Sequence, residues 1–270
     1  MKTFALRCLP LLALLTAGCA ELPPSTTPKS LPGGHPDHVI GYLQPDRIPD
    51  SRAFLPAPPT PDSAAFAADE DAYRRTRSLR DTPRWTLAHA DANLGFPQAV
   101  GAFSCALGQT ISAQETPHIA ALLSRLRADV ALTGASAKKH FQRQRPYLAH
   151  GDTSCTPEEK HKADSFPSSH SAIGWAWALM LAELAPERRD RLLKRGLAFG
   201  DSRVICGVHW QSDVDAGRLV GAAAVSLLHA EPEFVRQMRF AAKEIRAPQT
   251  GQAPTPDCAA ELRTLEISPR

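Results

Sequence analysis

From Asp62 onwards the sequence is a succession of long segments in which apolar residues recur every three to four positions. This spacing is that of one face of a helix. One face of the segment after Thr116-Pro117 carries Leu122, Leu123, Leu126 and Val130. The alternation of apolar and polar residues that is typical of strands is hard to find. The pattern therefore predicts an all-α, single-domain helical bundle.

Capping signals predict where the helices lie. Asp62 can cap a helix to about residue 79, Asp81 or Thr82 with Pro83 can start the next, and Thr116-Pro117 starts a third. Further helices are predicted at about 134–143, 169–184, 187–201, 210–229 and 232–245. The apolar run 173–184 is interrupted by Glu183 and is predicted to be a buried core helix. Loops at 144–167 and 202–208 should bring chemically active residues together.

Residues 1–19 predict an export signal, with Lys2 and Arg7 before an apolar stretch that is too short for a permanent membrane helix. Residues 16–19, Thr-Ala-Gly-Cys, resemble a bacterial lipobox, in which Cys19 is lipidated and becomes the mature N-terminus. Cleavage without lipidation is the alternative. The protein is expected to be periplasmic, secreted or attached to the outer membrane as a lipoprotein.

Composition divides the remaining chain into three parts. Residues 20–61 are crowded with proline, which favours a semi-extended tether. Residues 62–246 hold the helical pattern and are predicted to form the catalytic domain. Residues 247–270 lack periodicity and predict a flexible C-terminal tail, unless Cys258 pins it to the domain.

Charge excludes one class of partner. The net charge is +3, and loss of Lys2 and Arg7 with the signal leaves 29 basic against 28 acidic residues. Binding to a polyanion needs a basic face, so no nucleic-acid partner is expected. Any cations that take part in binding or catalysis must therefore be gathered in one small part of the protein.

Cysteine usage suits an oxidising compartment. After loss of Cys8 and modification or loss of Cys19, the remaining cysteines are Cys105, Cys155, Cys206 and Cys258. Loop signals beside Cys105 and Cys155 favour a disulfide between these two. A buried free thiol is an equally good interpretation of Cys206.

Three short clusters carry the residues with distinctive chemistry. They are Lys138, Arg145 and Pro146; Pro167, Ser168 and His170; and Ser202, Arg203, His209 and Asp213. Three permanent cations, two histidines and one carboxylate indicate a pocket for a dianionic tetrahedral oxyanion, with a nucleophile and a proton donor inside it.

In the third cluster, His209 and Asp213 are four residues apart and would share one face of a helix. The carboxylate can then accept the Nδ1 proton and leave Nε2 as a lone pair, as a histidine nucleophile requires. Arg203, just before that helix, offers a fork for two phosphate oxygens. Taken alone, the His-Asp pair also fits a surface pair or two metal ligands.

In the first cluster, Lys138 and Arg145 are two helical turns apart and point the same way if one helix reaches the following proline, which ends it. A solvated basic face is the alternative, and the flanking Lys139, His140 and Arg143 are expected to be dispensable.

In the middle cluster, serines cap the helix that follows, and the backbone N–H groups of its first turn form an anion site. His170 can donate a proton to a leaving oxygen there. A simple cap with a partly exposed histidine is the alternative for this cluster alone.

Together the clusters resemble the signature of the type 2 phosphatidic acid phosphatase superfamily, which includes the vanadium haloperoxidases. That signature is Lys, six residues, Arg-Pro; Pro-Ser-Gly-His; and Ser-Arg, five residues, His, three residues, Asp. Residues 105–108, 174–179 and 202–218 are similar to class A bacterial non-specific acid phosphatases, in a resemblance that covers roughly residues 54–245. It implies the acid phosphatase/vanadium-dependent haloperoxidase fold.

The resemblance also implies a role for each residue. Phosphate oxygens would be bound by Lys138, Arg145, Arg203 and backbone N–H groups near Ser168 and Ser169. His209 would attack phosphorus to form a phosphohistidine, and Asp213 would orient it. His170 would protonate the leaving alcohol and then activate water. No metal and no cofactor are implied, because positioning and the fixed cations supply the catalysis.

The implied function is an acid phosphatase for phosphate monoesters of broad specificity, with phosphotransfer as an added activity and inhibition by phosphate analogues such as vanadate. Family members often associate, so a homo-oligomer is compatible with the resemblance. The alternatives are a vanadate-dependent haloperoxidase that uses the same pocket and an anchored lipid phosphatase. Similarity outside the motifs favours the acid phosphatase.

One residue departs from the signature, and one pair of residues also fits a metal site. Ser169 stands where the signature has Gly, and it would strain the loop if the position required positive φ; we expect activity to be retained. Asp213 and Asp215 form an Asp-x-Asp pattern, but residues two apart on a helix diverge by about 200° and would not chelate one ion together.

Overall fold

A computed structural model describes residues 22–30, 39–96, 98–158, 164–247 and 257–267. The predicted export signal and Cys19 lie outside these ranges. Within them the regular structure is helical, without strands and with one isolated bridge between Ser30 and Val39. The prediction of an all-α fold is confirmed.

The α-helices of the described residues are α1 (Ala64–Thr76), α2 (Pro83–Ala90), α3 (Gln98–Gly101), α4 (Ser104–Leu107), α5 (Pro117–Thr133), α6 (Ala135–Phe141), α7 (Pro146–Ala149), α8 (Ser169–Leu184), α9 (Arg189–Ile205), α10 (Gln211–Leu228), α11 (Pro232–Arg246) and α12 (Cys258–Thr264). Short 3₁₀ turns lie at Pro45–Arg47, Ser51–Ala53, Arg77–Leu79 and Pro186–Arg188.

Two predicted helix boundaries near the clusters are wrong. Helix α6 ends at Phe141, because Gln142 adopts a left-handed conformation with φ of 44°. Arg145 is extended, as a residue before proline prefers, and Pro146 begins α7 instead of ending a helix. Helix α9 continues to Ile205, so Ser202 and Arg203 lie on a helix and not in a loop.

Helix α8 lies at the centre of the bundle and packs against α5, α9 and α10. Its Ile173, Trp177 and Leu181 are buried. The Trp177 indole donates to the backbone oxygen of Leu123 at 2.9 Å, so its one polar atom is satisfied in the core. This confirms run 173–184 as a core helix. Among the helices of the described ranges, none combines the length and apolar composition needed to cross a bilayer.

A glycine brings α10 against the start of α8. A Cβ on Gly217 would lie 2.4 Å from the backbone oxygen of Ser168 and 3.2 Å from the backbone nitrogen of Ala172. Both contacts are with backbone, which cannot rotate away. Only glycine therefore allows the two helices to meet where the backbone N–H of Ser168 donates to the backbone oxygen of Asp213, at 2.9 Å.

The second half of the proline-rich segment is not a tether. Tyr42, Leu43 and Leu55 are buried in the main core. The backbone N–H groups of Tyr42 and Leu43 donate to the buried carboxylate of Asp129 on α5, at 2.8 to 3.0 Å. Ser51 accepts from the backbone N–H of Ala137 on α6 at 3.0 Å. Proline spacing gave no sign of these contacts, because they depend on partners about 85 residues away.

The predicted disulfide between Cys105 and Cys155 is wrong. Cys105 of α4 pairs with Cys258, and Cys155 pairs with Cys206 at the end of α9. The backbone N–H of Cys155 also donates to the backbone oxygen of Cys206 at 3.0 Å. The first disulfide holds α12 on the domain, where Glu261 forms a 3.2 Å ion pair with Arg195. Residues 257–267 are therefore not a flexible tail.

Candidate active site

The three sequence clusters meet around the first turns of α8 and α10. His209 lies in the loop between α9 and α10 and is 2% exposed, and Asp213 is fully buried. The predicted shared helix is wrong in detail, because α10 begins only at Gln211. Asp213 instead caps that helix, where its Oδ2 accepts from the backbone N–H of Trp210 at 2.8 Å.

The carboxylate of Asp213 faces Nδ1 of His209 at 3.6 Å, which exceeds hydrogen-bond length. The hydroxyl of Ser165 lies beside both groups. It donates to Oδ2 of Asp213 at 2.5 Å and is 3.4 Å from Nδ1 of His209. Asp213 is thus held by a serine hydroxyl and a backbone N–H on the side that faces the imidazole.

The other imidazole nitrogen identifies the tautomer of His209. Nη1 of Arg145 lies 3.0 Å from Nε2 of His209 and 2.9 Å from the backbone oxygen of Val208. A guanidinium has only donors, so Nε2 must accept. The imidazole proton of neutral His209 is therefore on Nδ1, and the Nε2 lone pair points at the cations.

Two of the predicted phosphate-binding cations share one partner, Asp164. Oδ1 of Asp164 accepts from Nε and Nη2 of Arg145 at 3.1 and 2.9 Å. The backbone oxygen of Asp164 accepts from Nζ of Lys138 at 2.5 Å. These contacts join the residues of the first cluster even though α6 does not extend to Arg145.

Arg203 is fully buried on α9, close enough to His170 and His209 for its charge to act on both. Ser168 caps α8 and accepts from the backbone N–H of Ser171 at 3.3 Å. Ser169 is the first residue of α8 and is not among the residues with positive φ. The serine at this position therefore causes no backbone strain.

His170 lies in the first turn of α8. Its Nε2 is 2.9 Å from the backbone oxygen of Ala92, just after α2. A carbonyl only accepts, so Nε2 carries the proton in the neutral ring and Nδ1 is left with a lone pair. The segment after α2 thus orients this histidine, a contact that the sequence did not indicate.

Burial and positive charge dominate the electrostatics. Burial, followed by Arg145, Lys138 and Arg203, lowers the pKa of His209 well below its usual value. Burial and then Arg203 do the same to the pKa of His170. Burial lowers the pKa of Lys138 to about 8, with Arg145 adding to the effect. Burial raises the pKa of Asp213, and the charge of Arg143 opposes that rise.

Arg143 was grouped with Lys139 and His140 as a dispensable residue of a solvated basic face, but the structure does not place it on such a face. Its side chain is 9% exposed and forms ion pairs with Asp69 and Asp213 at 2.8 and 2.7 Å. Its neighbours Lys139 and His140 are exposed, as expected of a solvated face. The sequence signal was too weak to separate the three, because which side a residue faces after α6 depends on the turn at Gln142.

The Asp-x-Asp pattern separates as predicted. Asp213 is buried, whereas the side chain of Asp215 is 58% exposed and pairs with Arg218 at 2.7 Å. Within the described residues, no group of three or more His, Cys, Asp or Glu side chains is arranged to hold a metal ion.

Comparison with known proteins identifies the family. Residues 118–234 match the model of the PAP2 superfamily. The chain is 40% identical over 245 residues to a non-specific acid phosphatase of Providencia stuartii, covering 87% of this chain and 96% of that protein. It is 38% identical over 212 residues to an acid phosphatase of Zymomonas mobilis, covering 77% of this chain and 80% of that one. It is also 38% identical over 214 residues to a non-specific acid phosphatase of Salmonella typhimurium, covering 77% and 84%. The chain therefore belongs to the PAP2 superfamily and, within it, to the class A bacterial non-specific acid phosphatases.

Proposed function

We propose that this acid phosphatase hydrolyses phosphate monoesters of broad specificity without a metal ion, through a phosphohistidine at His209. The observation that carries the proposal is the 3.0 Å contact between Nη1 of Arg145 and Nε2 of His209. It fixes Nε2 as the unprotonated nitrogen. A nucleophilic lone pair thus points at the same guanidinium that would bind the phosphate.

In the first step, Nε2 of His209 attacks phosphorus and the bond from phosphorus to the ester oxygen breaks. The charges of Lys138, Arg145 and Arg203 stabilise the negative oxygens of the transition state. Asp213 stabilises the positive charge that develops on the imidazole. The leaving alkoxide takes a proton from Nδ1 of His170, because Nε2 of that ring is bound to the backbone oxygen of Ala92.

In the second step, the now neutral His170 takes a proton from water at Nδ1. The resulting hydroxide attacks phosphorus, and the bond from phosphorus to Nε2 breaks and returns its electron pair to His209. Inorganic phosphate leaves. An alcohol in place of water would accept the phosphoryl group by the same route, which is the proposed phosphotransfer.

The pKa directions suit mildly acid conditions. Because the pKa of His209 is depressed, the imidazole stays unprotonated and nucleophilic below neutral pH. His170, whose pKa is also depressed, is neutral in the free enzyme. A bound phosphate dianion adds opposite charge beside it and raises its pKa. The proton donor is therefore charged only when substrate is present.

The test is hydrolysis of an aryl phosphate by purified protein in excess chelator. We expect full activity, loss of roughly 10³-fold or more in His209→Ala, and competitive inhibition by orthovanadate. His140→Ala is the matched control, because His140 is an exposed histidine of α6. Protein quenched during turnover of labelled substrate should carry phosphate on His209.

Four results would count against the proposal. Loss of activity in chelator would remove the metal-free mechanism, and unchanged turnover by His209→Ala would remove the nucleophile. Bromide oxidation after vanadate loading, without ester hydrolysis, would favour the haloperoxidase. Activity on membrane lipid phosphates alone would favour the lipid phosphatase.

We also propose that the protein is exported and, through Cys19, anchored to the outer membrane. The signal and lipobox pattern of residues 1–19 supports this, as do two disulfides, which need an oxidising compartment. Mass spectrometry of the mature N-terminus tests it: diacylglycerol on Cys19 is expected, and an N-terminus at unmodified Cys19 or at Glu21 would contradict the anchor. Gel filtration of the unacylated protein tests for a homo-oligomer.

A further inference from the structure

Behind the His209–Asp213 pair lies a network of charged side chains that the family signature does not include. Nη1 of Arg143 donates to Oδ1 of Asp213 at 2.7 Å, and Nη2 donates to Oδ2 of Asp69 at 2.8 Å. Arg143 follows α6, whereas Asp69 lies on α1 and Asp213 on α10. One guanidinium therefore links three parts of the fold at the base of the site.

Asp69 is itself fixed by α10. It is 3% exposed, its Oδ1 accepts from the backbone N–H of Ser212 at 2.8 Å, and its Oδ2 accepts from the Ser212 hydroxyl at 2.5 Å. That hydroxyl in turn accepts from Nη1 of Arg143 at 2.7 Å. The guanidinium also lies over the Trp210 ring, with 5.3 Å between Cζ and the ring centroid. Arg143 thus has a single well-defined position.

The two carboxylate oxygens of Asp213 have separate partners. Oδ2 faces His209 and accepts from Ser165 and the backbone N–H of Trp210. Oδ1 points away and accepts from Arg143. A carboxylate held at both oxygens cannot rotate, and the cation behind it is the one positive side chain in hydrogen-bond contact with it among the described residues. Removal of Arg143 would free Oδ1 and leave a buried carboxylate without its counter-ion.

We propose that Arg143, anchored by Asp69, is a positioning residue that holds the Asp213 carboxylate against Nδ1 of His209. This inference rests on the proposed role of His209 as the nucleophile. Arg143 touches neither phosphate nor water in the reaction, and it acts only through Asp213. It is therefore distinct in kind from Arg145 and Arg203, which would bind the phosphate.

The role makes a prediction about pH as well as rate. Burial raises the pKa of Asp213 and Arg143 is the strongest opposing influence, so without Arg143 that pKa rises further. Three further charged or titratable groups face Asp213: His209 from the α9–α10 loop, Lys138 from α6, and Asp69 from α1, which shares Arg143 with it. A protonated, neutral Asp213 cannot stabilise the positive charge that develops on the His209 imidazole 3.6 Å away. The acid limb of the pH profile of kcat should therefore move to higher pH.

The experiment compares Arg143→Met, Arg143→Lys and Asp69→Asn with Lys139→Met, whose side chain is exposed on α6. We expect Arg143→Met to lower kcat by about 10- to 100-fold, with KM within threefold of the parent. The midpoint of the acid limb in its pH profile of kcat should move to higher pH by about one unit. Arg143→Lys should recover part of kcat and most of the pH profile, and Asp69→Asn should lower kcat less than Arg143→Met. Lys139→Met should match the parent.

Near-ultraviolet circular dichroism and the urea midpoint establish that each variant is folded, and Asp69→Asn provides the test if Arg143→Met does not fold. A folded Arg143→Met with unchanged kcat and pH profile overturns the inference, as does a rise in KM without loss of kcat. If His209→Ala remains active, the proposed function itself fails. If His209→Ala is inactive and the Arg143 and Asp69 variants behave like the parent, this inference alone fails.

Discussion

At the scale of the residue, the site depends on burial of groups that are normally exposed. His209, Asp213 and Arg203 are each almost fully buried. Burial alone would neutralise a carboxylate or an ammonium. The site keeps charge because its cations and carboxylates lie close together, so changing any one of them alters the pKa of the others.

The lowered pKa of Lys138 predicts how kcat/KM depends on pH. Its pKa is lowered to about 8, so it is protonated in acid and neutral solution and loses its charge as pH rises through 8. A neutral amine attracts phosphate oxygens much less strongly than an ammonium. We expect kcat/KM, which reports the free enzyme, to fall above pH 8 through a rise in KM. Lys138→Arg should move that limb to higher pH, whereas Lys138→Met should raise KM mainly below pH 8, where the lysine is charged, and so remove the limb.

Lys139→Met is the control for this series, since Lys139 is exposed next to Lys138. Titration of kcat/KM from pH 5 to about pH 10 is the measurement. If the basic limb is unchanged in Lys138→Arg, a group other than Lys138 is responsible for it.

At the scale of the element, the sequence predicted helices better than their ends. Local signals sufficed where a cap and an apolar run coincide, as at the start of α8, where Ser168 caps the helix. The same signals did not predict where α6 and α9 end. Gln142 is left-handed without the Gly or Asn that would signal it, and α9 ends next to Cys206, whose disulfide partner Cys155 is 51 residues away in sequence.

The same distinction applies to the site. Spacing in three motifs predicted the residues that meet there, because the order of their types is itself informative. Ser165, Arg143 and Asp69 were missed, since their roles depend on which way a loop turns and on a helix far away in sequence. Spacing also predicted the right pair, His209 and Asp213, for an incorrect reason, because the two do not share a helix.

The close contact between α8 and α10 at Gly217 should make the domain sensitive to any larger side chain there. Gly217→Ala would push α10 away from the backbone of Ser168, 2.4 Å from the new Cβ. We expect the free energy of unfolding to fall by about 1 to 3 kcal/mol and kcat to fall as Asp213 shifts with its helix. Gly101→Ala, whose Cβ meets nothing within 4 Å, should leave stability unchanged or raise it slightly. Equal stability of the two variants in urea would show that the helices can separate without cost.

At the scale of the whole molecule, the domain extends beyond the region of helical periodicity at both ends. Residues 39–55 pack on α5 and α6, and α12 is fixed by the Cys105–Cys258 disulfide. Composition suggested a tether and a tail, because proline content and missing periodicity describe regular structure and not burial. The segment before α1 also reaches α6, the helix that carries Lys138, so its docking bears on the site.

Asp129 holds the segment before α1 on the domain. It is fully buried, and it accepts the backbone N–H groups of Tyr42 and Leu43. Asp129→Ala leaves two buried donors without an acceptor, so we expect the free energy of unfolding to fall by about 2 to 5 kcal/mol. Asp46→Ala, at an exposed position of the same segment, should change it by less than about 0.5 kcal/mol. Urea denaturation measures both, and limited proteolysis should cut the Asp129→Ala variant first between residues 39 and 61. Equal midpoints for the two variants would mean that the segment contributes little to the stability of the domain.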